Sequence, residues 1–326
     1  RTHNNELPRK PEMKRLISSC VLALSGTAFL SASVMAAEPA SCQNVRMGVV
    51  NWTDVIATSA MTQVLLDGLG YNTKQTSASQ QIIFAGIRDQ RLDLFLGYWN
   101  PLMTQTISPF VDGKQVKVLE APSLKDARAT LAVPTYLADK GLKTFADIAK
   151  FEKELGGKIY GIEPGSGANT QIKEMIAKNQ FGLGKFQLVE SSEAGMLSAV
   201  TRATKRNEAI VFFGWAPHPM NVNVKMTYLT GSEDALGPNE GMATVWTVTS
   251  PNYAQQCPNI GKLLSNLTYT AEDESRMMQP LLDHKDAFES AKQWLKDHPQ
   301  DKQRWLEGVT TFDGKPAAEN LQLTSK

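Results

Sequence analysis

Two stretches of this 326-residue chain echo one another. Residues 93–101 read DLFLGYWNP and residues 210–217 read IVFFGWAP, so in each an apolar run leads to Gly, then Trp, then Pro. Trp99 and Trp215 fall just past the C-terminal ends of predicted strands, the edge at which open α/β sheets bind ligands. Trp52 obeys the same rule, after the first predicted strand and before the first helix. Indole faces gathered around one cavity attract a cation through the ring quadrupole, about 0.5–2 kcal/mol per ring when dry, and quaternary ammonium groups are the usual guests. Asp54 stands beside Trp52 at the start of a helix, where it serves as counter-charge, as helix cap, or as both. The competing reading of any single Trp is core packing. That reading suits Trp294 and Trp305, which sit on helical patterns, better than three Trp residues beside Gly, Asn or Pro.

A second candidate is the turn Pro164-Gly165-Ser166-Gly167-Ala168-Asn169, between a predicted strand and a predicted helix. Free backbone N–H groups and the helix dipole favour an accepting ligand group there, with Ser166, Gly167 and Asn169 as its candidates. The turn lacks the Lys of a phosphate loop and the spacing of a dinucleotide fingerprint. The plainer alternative is a strand-to-helix turn capped by Ser166 or Asn169.

The elements that must position these residues follow an alternating order. Strands at 44–50, 71–76 and 92–97 enclose helices at 55–69 and 80–89. A similar unit follows, with strands at 158–162, 187–189 and 209–214 around helices at 170–179 and 194–206. Such βαβαβ patterns imply parallel strands covered by helices. The segment 129–133 is expected to cross between the units, with the return near 226–229. The expected fold is α/β and two-lobed, each lobe a mainly parallel sheet with helices on both faces and a cleft between the lobes. Residues 37–122 and 229–326 would form lobe 1, and 123–228 lobe 2.

Residues 1–36 read as a leader. Met13 reads as the start, Lys14 and Arg15 are basic, and 16–34 are apolar or small before Val34-Met35-Ala36. This is the pattern of a secretory signal peptide cut near Ala36, which implies a periplasmic protein. A membrane anchor and a lipoprotein box at Cys20 are the weaker alternatives. Five of the 34 basic and two of the 33 acidic residues lie in this segment, which leaves a net charge of −2. That balance argues against a nucleic-acid partner, which needs a basic face. Cys42 and Cys257 remain, an even count that suggests one disulfide in an oxidising compartment rather than two buried thiols. On the chain-entropy account, so long a loop contributes roughly 5 kcal/mol.

Catalytic chemistry finds little support. His218, His284 and His298 are the only histidines past the leader, and no nucleophile elbow or metal-ligand spacing occurs. No cofactor is implied. An exported hydrolase is the rival class, and a Ser or Asp bonded to His218 would favour it.

The motifs Asn51-Trp52-Thr53-Asp54, Leu96-Gly97-Tyr98-Trp99-Asn100-Pro101, Ile162-Glu163-Pro164-Gly165, 189–196 (VESSEAGM) and 213–221 (FGWAPHPMN) carry a resemblance. The chain resembles the periplasmic choline, glycine betaine and carnitine binding proteins of ABC importers. The resemblance implies a two-lobed monomeric protein that closes on its ligand and hands it to a membrane permease. It also implies a cage of Trp52, Trp99 and Trp215, and a Cys42–Cys257 bridge. Two positions depart from the choline-specific members. Ala129 stands where they carry a Tyr that completes the cage, a wall that Trp246 is the candidate to replace. Ser166 stands where they carry an Asn that binds the choline hydroxyl. Both changes enlarge the site, so the expectation is carnitine first, then glycine betaine, then choline.

Overall fold

The computed structural model describes residues 37–324. The leader reading, with its cleavage site near Ala36, falls outside them. Ten strands join in one sheet: β1 (Asn44–Val49), β2 (Asn72–Ser77), β3 (Leu94–Asn100), β4 (Lys117–Val118), β5 (Leu124–Pro134), β6 (Lys158–Tyr160), β7 (Gln187–Val189), β8 (Phe212–Ala216), β9 (Met226–Tyr228) and β10 (Met242–Thr249). Their order is β2-β1-β3-β10-β5-β8-β6-β7, with β4 on β10 and β9 on β5. At each end the strands run parallel, as the βαβ patterns require: β1 with β2 and β3, and β6 with β7 and β8. In the middle, β10 is antiparallel to both β3 and β5, and β5 is antiparallel to β8.

The long strand β5 therefore joins two half-sheets. Its start pairs with β10, and Arg128–Ala132 pairs with β8. The expected crossing segment 129–133 lies inside it. The segment 226–229 does not rejoin the first half-sheet; β9 pairs only with the end of β5. The strand that rejoins β3 is β10, whose sequence MATVWTVT is rich in β-branched residues.

Eight helices of nine residues or more occur among the described residues: α1 (Thr53–Gly68), α2 (Gln80–Arg88), α3 (Thr104–Asp112), α4 (Gly167–Ala177), α5 (Glu193–Lys205), α6 (Pro258–Asn266), α7 (Ala271–Leu282) and α8 (Ala287–Asp297). Local chemistry starts them. Ser79, Ser166 and Ser192 each accept a hydrogen bond from a backbone N–H of the first turn of α2, α4 and α5. One hydrophobic core runs under both half-sheets. A second gathers α1, α6 and α8 with Trp294 and Trp305, both buried there as packing residues. Cys42 and Cys257 form a disulfide, with Cα atoms 5.7 Å apart. It ties the first described residues to the start of α6. Beside it, the buried Glu38 carboxylate accepts from the N–H groups of Asn259 and Ile260, so the same helix start is held twice.

Candidate functional site: an acidic aromatic cavity between the half-sheets

The two echoed sequences end in matching places. Trp99 is the penultimate residue of β3 and Trp215 the penultimate residue of β8, so both lie inside strand ends rather than beyond them. Each is followed by a cis X-Pro bond, at Asn100-Pro101 and Ala216-Pro217. Trp52 is the N-cap residue of α1. These three indoles and the Phe213 ring line one cavity. None of the four is more than 7% exposed.

Phe213 is the ring that sequence reasoning missed. Ala129 pairs with Trp215, and Leu131 pairs with Phe213, so Phe213 lies diagonally across the sheet from Ala129 on the same face. Phe213 packs against Trp215 with ring centroids 5.6 Å apart. Phe213 and Ala129 thus line the cavity from the same face of the sheet. Trp246 does not. Its indole N–H donates to Thr244 Oγ1 at 2.8 Å, and its ring is not part of the cavity lining.

Asp54 enters the same cavity from the first turn of α1. Trp99 Nε1 donates to its Oδ2 at 3.0 Å. Asp54 is buried, and that burial, reinforced by the negative charge of Glu193, pushes its pKa up to about 7 against the opposing Trp99 hydrogen bond. Glu274 lies behind it, buried on α7; its pKa is raised well above the usual carboxylate range by burial first and by Asp54 and Asp126 second. No Lys, Arg or His contributes to the lining. The site therefore presents acidic charge and π faces to its contents.

The Gly-rich turn contributes differently from expectation. Ser166 and Gly167 line the cavity, but Ser166 Oγ already accepts from Asn169 N–H at 3.1 Å as a helix cap. Asn169 faces away. Its Oδ1 accepts from Ile162 N–H, and its Nδ2 donates to Ile162 O and Glu190 Oε2, so its amide is fully committed within the second half-sheet. Gly167 has a steric role as well: a Cβ there would lie 2.1 Å from Leu102 O, which belongs to the loop after β3. Only glycine allows α4 to approach the first half-sheet this closely.

Four further contacts cross from the first half-sheet to the second. Trp52 Nε1 donates to Glu163 Oε1 at 2.6 Å. Thr53 donates its N–H to Glu193 Oε1 at 3.1 Å and its hydroxyl to Glu193 Oε2. Gln80 and Gln81 both donate to Gly165 O at 2.8 Å. Gly165 adopts φ +81°, a left-handed turn that a side chain would strain. Burial raises the Glu163 pKa, with the Trp52 hydrogen bond opposing and the charge of Glu193 adding to it.

His218 does not form a hydrolytic site. Its Nδ1 accepts from Met220 N–H at 2.9 Å, and Nε2 lies 3.7 Å from Glu193 Oε1. No Ser or Asp side chain bonds it among the described residues, and no group of three His, Cys, Asp or Glu is placed to hold a metal there. Its ring stands edge-on to Trp215, with centroids 5.0 Å apart, and so supports that indole.

Residues 43–297 match the family described as the substrate binding domain of the ABC-type glycine betaine transport system. This chain belongs to that family. Members are the binding components of ABC transporters, not enzymes, and they work outside the cytoplasmic membrane with a permease. Among the described residues no helix is long and apolar enough to cross a membrane. A solved ABC-transporter choline binding protein in complex with choline is 44% identical, over 87% of this chain and 98% of that one, with a TM-score of 0.84. The unliganded semi-closed form of an ABC-transporter choline binding protein gives a TM-score of 0.79 at the same identity. The glycine betaine/carnitine transport binding protein GbuC of Listeria monocytogenes is 30% identical over 177 residues, 53% of this chain and 57% of that protein. The family and these structures agree with the expected α/β binding-protein fold.

Proposed function

We propose that this chain is an exported monomer that captures a quaternary ammonium cation in the Trp52–Trp99–Phe213–Trp215 cavity and delivers it to an ABC permease. One lobe would be built on β1–β3 and the other on β6–β8, with β5 and β10 crossing between them, closing over the ligand as a hinge. The observation that carries this reading is a desolvated carboxylate, Asp54, among four rings in a lining without a basic side chain. A trimethylammonium group has no N–H to donate, so π faces and a nearby negative charge are the contacts it can use.

The same observation reverses the order of ligands expected from Ala129 and Ser166 alone. Phe213 adds a fourth ring on the sheet face that carries Ala129, and Ser166, whose oxygen caps α4, has a single O–H left to offer a carboxylate. A carnitine or glycine betaine carboxylate would enter a cavity facing Asp54 with no cationic partner, at a desolvation cost it cannot recover. Choline adds only a hydroxyl. The 44% identity to a choline binding protein supports choline ahead of glycine betaine and carnitine.

A thermal-melt panel tests the class. Choline at about one hundred times its Kd adds about 2.7 kcal/mol to the folded state and raises the midpoint accordingly. Ethanolamine, which lacks the methyl groups, leaves it nearly unmoved. A panel in which no quaternary amine shifts the midpoint would defeat the proposal.

A further inference from the structure

Glu193 is not among the residues that line the cavity, yet it is buried beside them, bonded to the neighbour of Asp54. It begins α5, where the helix dipole favours a negative charge, and it belongs to the second half-sheet. Its carboxylate accepts the N–H and the hydroxyl of Thr53, the residue immediately before Asp54 in the first half-sheet. On its other side, His218 Nε2 lies 3.7 Å away. The His218 tautomer follows from geometry: Nδ1 accepts from Met220 N–H, so the ring proton is on Nε2 and points toward Glu193. Glu193 thus bonds the first turn of α1, which carries Asp54, and lies beside the loop that supports Trp215.

Closing the two half-sheets brings Glu193 toward Asp54. Two like charges approach in a dry site, where their repulsion is far stronger than in water. The Thr53 bonds form only when the halves meet, and by themselves they would draw the site shut over any guest of suitable shape. A cation between the walls offsets the repulsion; a neutral guest does not.

We propose that Glu193 is a positioning residue that makes closure depend on the charge of the ligand. It opposes closure through Asp54 until a cation is present, then completes the closed site through Thr53. This role rests on the quaternary-ammonium reading above and adds a residue that selects by charge without touching the ligand.

The test compares choline with its neutral carbon isostere, 3,3-dimethylbutan-1-ol, in wild type, Glu193→Gln and Thr53→Val. In Glu193→Gln the ratio of choline to isostere affinity falls about tenfold, the equivalent of about 1.4 kcal/mol. Small-angle scattering finds the ligand-free Glu193→Gln protein more compact than wild type. Thr53→Val keeps the charge and loses one bond, so it weakens both ligands by a common factor and leaves the ratio unchanged. A Glu193→Gln ratio equal to wild type, or no compaction, overturns the inference and makes Glu193 a simple latch. A wild type that binds both ligands equally defeats the quaternary-ammonium reading along with it.

Discussion

The two walls of the cavity share a sequence pattern and differ in chemistry. Both are Gly–aromatic–Pro strand ends followed by a cis peptide bond. On the first wall the indole N–H groups are committed to carboxylates, Trp99 to Asp54 and Trp52 to Glu163. On the second wall packing fixes the ring: Trp215 lies between Phe213 and His218. The first wall supplies charge and the second supplies apolar surface. The difference teaches that an internal echo can repeat a backbone while dividing charge and apolar surface between its copies.

The comparison breaks first at Asp54. Asp54→Asn keeps the shape of the charged wall and removes its charge; choline affinity falls about fiftyfold by calorimetry, within the range for truncating a buried charge partner. A loss under about threefold would mean that the walls do not divide in this way. Next is Gly167→Ala, which tests whether the walls must meet. The added methyl collides with Leu102 O, and affinity falls about thirtyfold, in the middle of the range of overpacking costs. The apo midpoint stays nearly constant, because the clash exists only on closure.

The pH dependence of binding also reports on the first wall. Asp54 has its pKa raised to about 7, and a bound cation favours its ionised form. Binding below about pH 7 must therefore release a proton, so Kd rises as pH falls, by at most about tenfold per unit. Above about pH 8 it is flat. Asp54→Asn abolishes the slope. A wild-type Kd that is constant between about pH 5 and 8 contradicts the assignment.

Smaller effects belong to the apolar wall. Trp215→Ala lowers choline affinity about tenfold and Phe213→Ala about threefold, as expected for rings that contribute within the cation–π range. Equal losses for choline and its neutral isostere in these variants would show packing alone.

Much of this arrangement is legible in the sequence. The parallel ends of the sheet follow from apolar runs alternating with helical periodicity, and the three Trp residues follow from their places at strand ends. The disulfide follows from two cysteines. What escapes is tertiary. Phe213 reads as an ordinary strand residue until the β5–β8 register sets it diagonal to Ala129. Asn169 reads as a ligand group until its amide is seen closing the turn on Ile162. Glu163 and Glu193 gain their meaning only when the half-sheets meet. The return strand β10 is separated from β3 by about 140 residues, and local pattern carries no information about that pairing.

The central claim is that an acidic cavity with no basic lining residue selects a cation over a zwitterion. Calorimetric titration with choline, glycine betaine and carnitine at pH 8 tests it most directly. The account predicts choline at least about tenfold tighter than either carboxylated ligand, the equivalent of about 1.4 kcal/mol. Carnitine or glycine betaine binding as tightly as choline would contradict it.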